Sequence, residues 1–418
     1  MTSPKLRFKE FDRDWKVNTI QRFMDDNFIL DQMDGNHGEL YPKSEEFSSS
    51  GVPYLSATDF SSGAVDFSKC KRLPLERAKL FKKGIAKNGD VLFAHNATVG
   101  PVAILETELD FVILSTTATY YRCDGKRLNN RFLKNYFESE FFVQQYFGIM
   151  SQSTRNQVPI TTQRKLSISI PTIQEQTKIA SFLSSVDEKI SQLTQKHELL
   201  SQYKQGMMQK LFSQKIRFKA DDGSEFGEWG ITSIKDAVSF IKDGTHGTHP
   251  DDLSSNLFLL SAKNLQNGKI LIDEKDRRIN QREFDSIYKN YKLKDGDILL
   301  SVVGTIGRVA IFKEHYEGYA FQRSVAFMRF KKALPEFVYQ LFLTKDFQNE
   351  LLVRQVVSAQ PGIYLGDLSK IEIKLPCLEE QTKIANFLSA IDQKIEVVAL
   401  QIEQAKQWKK GLLQQMFV

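Results

Sequence analysis

The most regular pattern in the chain is a pair of long stretches whose apolar side chains recur at alternating steps of four and three residues. In the first stretch these positions are Ile179, Leu183, Val186, Ile190, Leu193, Leu200, Met207 and Leu211, with the polar His197 and Lys204 completing the register. In the second they are Ile384, Leu388, Ile391, Ile395, Val398, Ile402, Ala405, Leu412 and Met416, with Lys409 matching Lys204. An apolar period of 3.5 residues over about five heptads is typical of a coiled-coil seam. The sequence therefore predicts two helices, 171–213 and 376–418, each roughly 60 Å long.

The stretches that precede each predicted helix alternate short apolar runs with turn signals. Asn88-Gly89 and Asp295-Gly296 are strong tight-turn dipeptides, and each leads into an apolar run. Two glycines, Gly304 and Gly307, mark the next turn and indicate a hairpin. Residues 132–147 and 336–352 carry helical spacing with aromatic side chains on one side. The alternation of a strand precedes each long helix, at Leu166, Ile168 and Ile170 and at Ile371, Ile373 and Leu375. These patterns predict mixed α+β domains.

The chain is an internal duplication. The stretch that begins at Pro171 recurs at Pro376, and the two 42-residue copies are identical at 19 positions. Weaker matches continue the repeat upstream: Lys5-Leu-Arg-Phe-Lys9 returns as Lys215-Ile-Arg-Phe-Lys219, and Gly89-Asp-Val-Leu-Phe93 returns as Gly296-Asp-Ile-Leu-Leu300. The segments between these matches diverge, so we expect two domains with a shared framework and different loops.

Two seams of identical register in one chain favour pairing with each other. An approximate twofold axis would make that pair antiparallel. The predicted fold class is therefore α+β, with two α/β domains separated by two long antiparallel coiled-coil helices in a pseudo-twofold internal repeat. The predicted segments are a first domain (1–170), a central helix (171–213), a second domain (214–375) and a C-terminal helix (376–418).

Composition limits the kind of protein. Of 418 residues, 41% are hydrophobic and 26% charged, which is ordinary for a globular protein. No apolar run approaches the ~18 residues of a membrane span, and three widely spaced cysteines form neither a disulfide framework nor a zinc pattern. We therefore expect a reducing cytoplasm and no membrane association. The net charge of +6 is only mildly basic, so a nucleic-acid surface would have to form by clustering in the folded state.

A search for catalytic motifs finds no complete set. The chain lacks a phosphate-binding Gly-x-x-x-x-Gly-Lys-Ser/Thr loop, a Gly-x-Gly-x-x-Gly turn and the Asn/Asp-Pro-Pro-aromatic tetrapeptide of amino-methyltransferases. Pro250-Asp251 followed by Asp273-Glu274-Lys275 formally matches a metal-nuclease pattern, but the first domain has no counterpart. A stand-alone DNA methyltransferase or nuclease, and a protein scaffold that binds no DNA, remain the alternatives to a DNA-reading protein.

The candidate DNA contacts lie in polar loops. Asp243-Gly-Thr-His-Gly-Thr-His249 offers hydroxyl and imidazole groups suited to phosphates or base edges, although two histidines also allow a metal-site or a simple-turn interpretation. The predicted DNA-binding residues are Lys242, Thr245, His246, Thr248, Arg323 and Gln360 in the second domain and Lys82, Lys83, Arg155 and Asn156 in the first. No metal ligand is assigned. The literal repetition of the helix openings predicts a surface for a shared protein partner, at Glu175, Gln176 and Lys178 and at Glu380, Gln381 and Lys383.

The chain resembles the specificity subunits of type I restriction–modification enzymes. The resemblance rests on the paired Pro-x-x-x-Glu-Gln-x-x-Ile-Ala openings at Pro171 and Pro376, on Asp243-Gly-Thr-His246, on residues 296–307, and on Ser358-Ala-Gln-Pro-Gly362. The first domain departs from this pattern, with Asp34-Gly-Asn-His37 and Thr154-Arg-Asn-Gln157 at the corresponding places.

The resemblance implies a non-catalytic subunit of a bacterial or archaeal complex. Each domain would be a target-recognition domain that reads one half of a split, asymmetric sequence in double-stranded DNA. Two adenine-methylating modification subunits would dock on the helix pair, and restriction (translocase) subunits would join them. S-adenosylmethionine, Mg²⁺ and ATP would then be bound by those partners, and this chain would hold no cofactor.

Overall fold

The structure, a computed structural model, describes residues 3–36, 38–61, 63–150, 156–289, 291–316, 318–356 and 361–418. The chain forms two compact units. The first unit consists of Met1–Thr194 with Leu400–Val418, and the second of Gln195–Ala399. Each long helix thus contributes one part to each unit, because its two parts pack on different cores. This division differs from the four consecutive segments that the sequence suggests.

The first unit contains ten strands in the part of the chain that the structure describes. They are β1 (Lys16–Thr19), β2 (Ile29–Asp34), β3 (Val52–Leu55), β4 (Lys71–Leu73), β5 (Ile85–Ala86), β6 (Val91–Ala94), β7 (Val102–Ile104), β8 (Val112–Leu114), β9 (Ala118–Cys123) and β10 (Ser167–Ile170). Its helices are α1 (Ile20–Asp25), α2 (Leu75–Ala78), α3 (Asn130–Glu138), α4 (Glu140–Met150), α5 (Ile160–Gln163), the start of α6 (Ile173–Phe212) and the end of the C-terminal helix, from Leu400. Short 3₁₀ turns occupy Gly38–Leu40, Ser44–Glu46 and Ala57–Phe60.

The second unit repeats this sequence of elements with more strands around its middle. The strands are β11 (Gly230–Ser233), β12 (Val238–Asp243), β13 (Leu257–Leu260), β14 (Leu265–Gln266), β15 (Lys269–Ile270), β16 (Arg278–Ile279), β17 (Ile298–Ser301), β18 (Val309–Ile311), β19 (Tyr319–Phe321), β20 (Val325–Phe330) and β21 (Glu372–Leu375). The helices are the end of α6 from Gln195, α7 (Ile234–Ala237), α8 (Gln281–Tyr288), α9 (Pro335–Phe342), α10 (Lys345–Val353), α11 (Leu365–Ser369) and the start of α12 (Leu378–Met416). Ala262–Asn264 and Glu314–Tyr316 form 3₁₀ turns.

The duplication extends to sheet topology, so the predicted internal repeat is confirmed. The first unit has a four-stranded sheet in the order β2-β9-β6-β7, and the second has β12-β20-β17-β18 in the same order. In both, the two last strands form the antiparallel hairpin that the glycine turns predict. A second sheet holds the parallel pair β3–β8 in the first unit and β13–β19 in the second. A two-stranded pair, β1–β10 or β11–β21, precedes each long helix.

Both predicted long helices are present, with 40 residues in α6 and 39 in α12. Each begins two residues after the proline that the sequence marks, so Pro171 and Pro376 lie just outside the helices and not in their first turns. In the first unit the start of α6 packs with the end of α12, through Leu183 and Met416 among others. In the second unit the end of α6 packs with the start of α12, through Leu211 and Leu388. The helix segments are therefore antiparallel within each unit.

A lysine in each seam pairs with an aspartate of the opposing helix. In the second unit Lys204 lies 2.6 Å from Asp392, and in the first Lys409 lies 2.7 Å from Asp187 and 3.1 Å from Glu138. Burial by itself lowers the pKa of Lys409, but these two carboxylates outweigh it and raise that pKa above its usual value.

The stretches 132–147 and 336–352 each form two helices instead of one. Ser139 interrupts the first and Thr344 the second. The Thr344 hydroxyl accepts a hydrogen bond from the Phe347 backbone N–H, which starts α10. Hydroxyl side chains of this kind favour helix N-caps over helix interiors, which is why the aromatic periodicity continues while the helix does not.

Candidate nucleic-acid interface

Four segments of the second unit meet at one end of its four-stranded sheet. The last residues of β12 and β17 pair with the first residues of β20, so the loops that follow β12 and β17 lie beside the turn before β20. The fourth segment is 361–363, which is bonded to the loop after β17. Gly304 N–H donates to the Pro361 carbonyl at 2.9 Å, and Ile363 N–H donates to the Val302 carbonyl at 2.9 Å. Residues distant in the chain thus form one polar edge.

The backbone of the loop after β12 is tied to the turn before β20. Thr245 N–H donates to the Phe321 carbonyl at 2.9 Å, and Arg323 N–H donates to the Thr245 carbonyl at 3.0 Å. Gly244 lies so close to this turn that an added Cβ would overlap the carbonyl oxygens of Phe321 and Gln322. The glycine of the Asp-Gly-Thr-His motif is therefore required by the close approach of two backbones.

The side chains of this loop point in different directions. The Thr245 hydroxyl lies 2.8 Å from Nε2 of His249, and Nδ1 of the buried His249 lies 2.7 Å from the Glu283 carboxylate. His246 instead has 64% of its side chain exposed and lies 2.8 Å from Asp243. His246 is therefore available to a ligand, whereas Thr245 and His249 bond to each other.

The structure brings most of the predicted second-domain contacts together. The exposed side chains are those of Lys242 near the end of β12, His246 and Thr248 in the loop after β12, and Arg323 in the turn before β20. Thr245 is half-buried. Gln360 lies outside the described residues.

The first unit forms the equivalent edge with different side chains. An added Cβ on Gly35 would overlap the backbone of Leu114 and Ser115, as at Gly244. The buried Asn36 amide donates to the Lys83 carbonyl at 2.5 Å, which joins the loop after β2 to the segment before β5. His37, the counterpart of His246, lies outside the described residues.

The predicted first-domain contacts occupy two places on this edge. Lys82 and Lys83 are exposed beside Asn36. Asn156 is exposed, and its carbonyl accepts a hydrogen bond of 3.1 Å from the Ala97 N–H in the loop after β6. Arg155 lies outside the described residues.

An arginine–aspartate pair fixes the hairpin of each unit. Arg122 donates two hydrogen bonds to the buried Asp90, at 3.0 and 2.7 Å, and Arg329 donates two to the buried Asp297, both at 2.7 Å. These bonds raise the pKa of both guanidinium groups above the usual value. The aspartate of the repeated Gly-Asp motif is thus structural, and it holds the strand that carries each glycine loop.

The predicted partner surface at the start of α6 is wrong for two of its three residues. Glu175 is 1% exposed and accepts two hydrogen bonds from Arg7, both at 2.8 Å, and one from the Trp15 indole at 3.3 Å. The fully buried Gln176 accepts from Asn129 N–H and donates to backbone carbonyls of the same unit. These side chains attach the helix to its own domain.

The same correction applies at the start of α12. Glu380, fully buried, accepts from Arg217 at 2.8 and 3.1 Å and from the Trp229 indole at 3.1 Å. Gln381 accepts from Leu334 N–H at 2.9 Å and is 1% exposed. Repetition of these residues reflects a repeated internal anchor.

The lysines of the two helix openings remain at the surface. Lys178 pairs with Glu10 and Lys383 with Asp221; Lys178, Glu10 and Asp221 are exposed, and Lys383 is half-buried. Since they occupy equivalent positions, the two units present similar charged groups beside their anchors.

Sequence reasoning missed the anchor residues Arg7, Trp15, Arg217 and Trp229. The available signal was the repeated Arg-Phe dipeptide followed by a tryptophan. That signal marks a duplicated feature but does not reveal its contact with a helix more than 150 residues away along the chain, a separation of 168 for Arg7 and 163 for Arg217.

The formal nuclease pattern does not form a carboxylate cluster. Asp251 pairs with Arg277 at 2.7 Å, and the Asp273 carboxylate accepts from the Lys275 backbone N–H. In the described part of the chain, no three His, Cys, Asp or Glu side chains are grouped so that they could hold a metal ion.

The family model and the relatives that match this chain all describe type I restriction–modification specificity proteins. The family model described as the type I restriction modification DNA specificity domain matches residues 31–202 and 253–407, well over half of the chain. The MjaVIII specificity subunit of Methanocaldococcus jannaschii is 29% identical over 259 residues, 59% of this chain and 60% of that protein. The match thus spans only about three fifths of that relative. The putative MjaX specificity subunit of the same organism is 28% identical over 346 residues, 78% of this chain and 76% of the relative.

Two solved structures share the fold along nearly the whole chain. One, reported for the assembly and conformational transition of a type I restriction–modification system, has a TM-score of 0.56 at 16% identity and covers 97% of this chain and 98% of its own. The S subunit from M. genitalium has a TM-score of 0.55 at 15% identity and covers 100% and 99%. No helix among the described residues is both long and apolar enough to cross a membrane.

Proposed function

Because the chain belongs to the type I restriction–modification DNA specificity family, we propose that it recognises the DNA target of such a system, each unit reading one half of a split, asymmetric sequence. Members of this family are non-catalytic recognition subunits and need no cofactor of their own. Binding specificity, and not chemistry on DNA, is therefore the function that the polar loop edges would supply.

The observation that carries the proposal is the same loop edge built twice with different side chains. Gly35 and Gly244 make the same close backbone approach, and the same pair of strands carries the next glycine turn in each unit. The exposed side chains on the two edges differ, with Lys82, Lys83 and Asn156 in the first unit and Lys242, His246 and Arg323 in the second. A shared framework with different contact groups is what two unlike half-sites require.

The exposed side chains divide into two roles. Lys82, Lys83 and Lys242 suit phosphate contacts, which position a protein on the duplex without reading sequence. His246 and Arg323 suit base edges in the major groove, where donor and acceptor patterns differ between base pairs. Thr248 and Asn156 are further candidates for either role.

We also infer the assembly. Equivalent lysines, Lys178 and Lys383, lie beside equivalent anchors, so each unit offers one similar surface. Two such surfaces suit two copies of one modification subunit, with restriction subunits joining them. Those partners would bind S-adenosylmethionine, Mg²⁺ and ATP, and the complex would act in the cytoplasm of a bacterium or archaeon.

A domain exchange tests the proposal. Residues 1–170 are replaced by the first domain of another family member, and both the parent and the exchanged chain are expressed with their modification subunits in a host without adenine methylation. Methylome sequencing should give a split target for the parent and a target with only one half altered for the exchange. A change in both halves, or in neither, would contradict the assignment of one unit to one half-site.

A second measurement addresses the enzyme alternative. The purified chain, without partners, is incubated with DNA and labelled S-adenosylmethionine, and the complete complex is the positive control. We expect label in DNA only with the complex. Transfer by the chain alone would show that it carries a methyltransferase site.

A further inference from the structure

The loop 243–249 carries the candidate base contacts of the second unit. Three hydrogen-bonded side chains, Thr245, His249 and Glu283, connect it to the rest of the unit. Gly247 N–H donates to the Thr245 hydroxyl at 3.1 Å, that hydroxyl lies 2.8 Å from Nε2 of His249, and Nδ1 of His249 lies 2.7 Å from Glu283. Glu283 belongs to α8, outside the loop. The loop is therefore attached to a regular helix.

The bonding pattern gives each hydrogen a direction. A carboxylate only accepts, so Nδ1 of His249 donates to Glu283, and in the neutral imidazole Nε2 then accepts from the Thr245 hydroxyl. The hydroxyl oxygen then accepts from Gly247 N–H. Removing the carboxylate removes the acceptor that fixes the imidazole orientation, and the Thr245 hydroxyl loses its oriented partner.

A second contact holds the backbone of the same segment. Arg277 donates from Nη2 to the His249 carbonyl at 2.5 Å and from Nε to Asp251 at 2.7 Å. His249 is thus bonded through both ring nitrogens and its carbonyl, and only 8% of it is exposed. Its role is internal, while the neighbouring His246 faces outward.

The first unit holds its equivalent loop in another way. Asn36, at the position of Thr245, donates directly to the Lys83 carbonyl. The carboxylate-to-loop arrangement is thus a feature of the second unit.

We infer that Glu283 is a positioning residue for the second half-site: acting through His249 and Thr245, it holds the loop 243–249 so that His246 and its neighbours meet the base edges in one orientation. This inference rests on the proposed function and deepens it. It also changes the role of Thr245, whose hydroxyl orients the loop instead of contacting DNA.

The test uses the full chain assembled with its modification subunits. Methylation rates are measured on the cognate duplex and on duplexes with single substitutions in either half. The second unit's half is the one that stays unchanged when residues 1–170 are exchanged. The variants are Glu283→Ala, Glu283→Asp and Glu283→Gln, and Asp285→Ala is the matched control because Asp285 is an exposed acidic residue of the same helix that pairs with Gln281.

Glu283→Ala should lower discrimination at the second half-site about tenfold, the equivalent of one charge-assisted hydrogen bond, and leave the first unchanged. Glu283→Gln keeps an oxygen acceptor for Nδ1–H and should restore most of the discrimination. Glu283→Asp withdraws the carboxylate by one methylene and should give a milder loss of discrimination. This variant tests the inference if Glu283→Ala folds poorly. Asp285→Ala should match the wild type.

The outcomes distinguish a failure of the proposed function from a failure of the role assigned to Glu283. If the wild type methylates no split sequence, the proposed function fails and this inference fails with it. If the wild type is specific but Glu283→Ala and Glu283→Asp discriminate as well as it does, only the inference is overturned. Equal losses at both half-sites, or a Glu283→Gln variant as impaired as Glu283→Ala, would also overturn it.

Discussion

The contacts of Glu175 with Arg7 and Trp15, which anchor the first long helix to its own domain, provide a test of how each unit is stabilised. Glu175 is almost completely buried, accepts two hydrogen bonds from Arg7 and one from the Trp15 indole, and is repeated as Glu380 in the second unit. In Glu175→Ala the Arg7 guanidinium, with 12% of its side chain exposed, loses its counter-charge, and the indole N–H loses its acceptor. The indole N–H then remains buried without a partner, and the guanidinium keeps only its hydrogen bond to the Arg13 carbonyl, at 2.5 Å.

The size of the effect follows from that geometry. Removing one partner of a fully buried ion pair costs about 3–5 kcal/mol, and an exposed pair contributes little. Because Arg7 lies near the surface of the unit, we expect a loss of about 2–3 kcal/mol in unfolding free energy. For a unit of this size that corresponds to a midpoint lowered by roughly 5–10 °C.

The measurement is urea and thermal unfolding of the full chain, with hydrogen exchange to locate the effect. Protection should fall first around residues 16–19 and 173–180 of the first unit, since the anchor joins these segments. Lys178→Ala is the matched control, one turn along the same helix, because its partner Glu10 is exposed and its loss should leave stability unchanged. Glu380→Ala should reproduce the destabilisation in the second unit.

One result would refute this reasoning. If Glu175→Ala unfolds like the wild type but no longer assembles with modification subunits, the carboxylate is a docking residue, as the repeated sequence first indicates. Loss of assembly accompanied by the expected loss of stability would leave the anchor as the cause.

Three further outcomes are expected. Gly244→Ala should displace the recognition loop and cost about 1–3 kcal/mol because a Cβ has no space there, whereas Gly227→Ala, with open space around it, should not, as urea unfolding and DNA titration would show. Replacing Lys82 and Lys83 by Ala should weaken binding to all sequences alike and reduce the salt slope by about one for each phosphate that is no longer neutralised; unchanged slopes would exclude a role for these lysines at phosphates. The raised pKa of Lys409 means that its contribution to stability is complete below the usual lysine pKa of 10.5 and is lost as pH rises further, so Lys409→Met should remove this alkaline component from unfolding curves measured between about pH 9 and 11.5.

The long helices were predictable because a heptad seam is a local signal. Their first residues, Ile173 and Leu378, lie within two positions of the prolines that the sequence marks. Side chains at every third or fourth position lie on one buried face only while the helix continues. The pattern therefore predicts both that the element is a helix and how long it is. The hairpin of the second unit was predictable for a similar reason, since its turn needs glycine at positive φ, at Gly304 and Gly307, and Gly100 occupies the corresponding turn of the first unit.

The roles of the repeated Glu-Gln dipeptides were not predictable in the same way. Repetition within one chain has the same appearance whether a residue contacts a partner or its own domain. The deciding contact joins Glu175 to Arg7, 168 residues apart, and no local pattern reports a pairing at that distance. The inward orientation of Thr245 was hidden similarly, because it depends on Glu283 through the buried His249.

The residues of the two units differ most at the side chains that brace the loops. They differ least at the positions where two backbones come into close contact. The glycines at 35 and 244 cannot accept a side chain, and the Arg–Asp pairs that fix each hairpin are the same in both units. Loop bracing is achieved by a neutral amide at Asn36 and by a histidine–carboxylate pair behind Thr245. Steric demand on the backbone leaves one solution, whereas a loop can be held by many side-chain combinations. Recognition loops on such a framework can therefore diverge without loss of the fold, and the bracing residues diverge with the loops they orient.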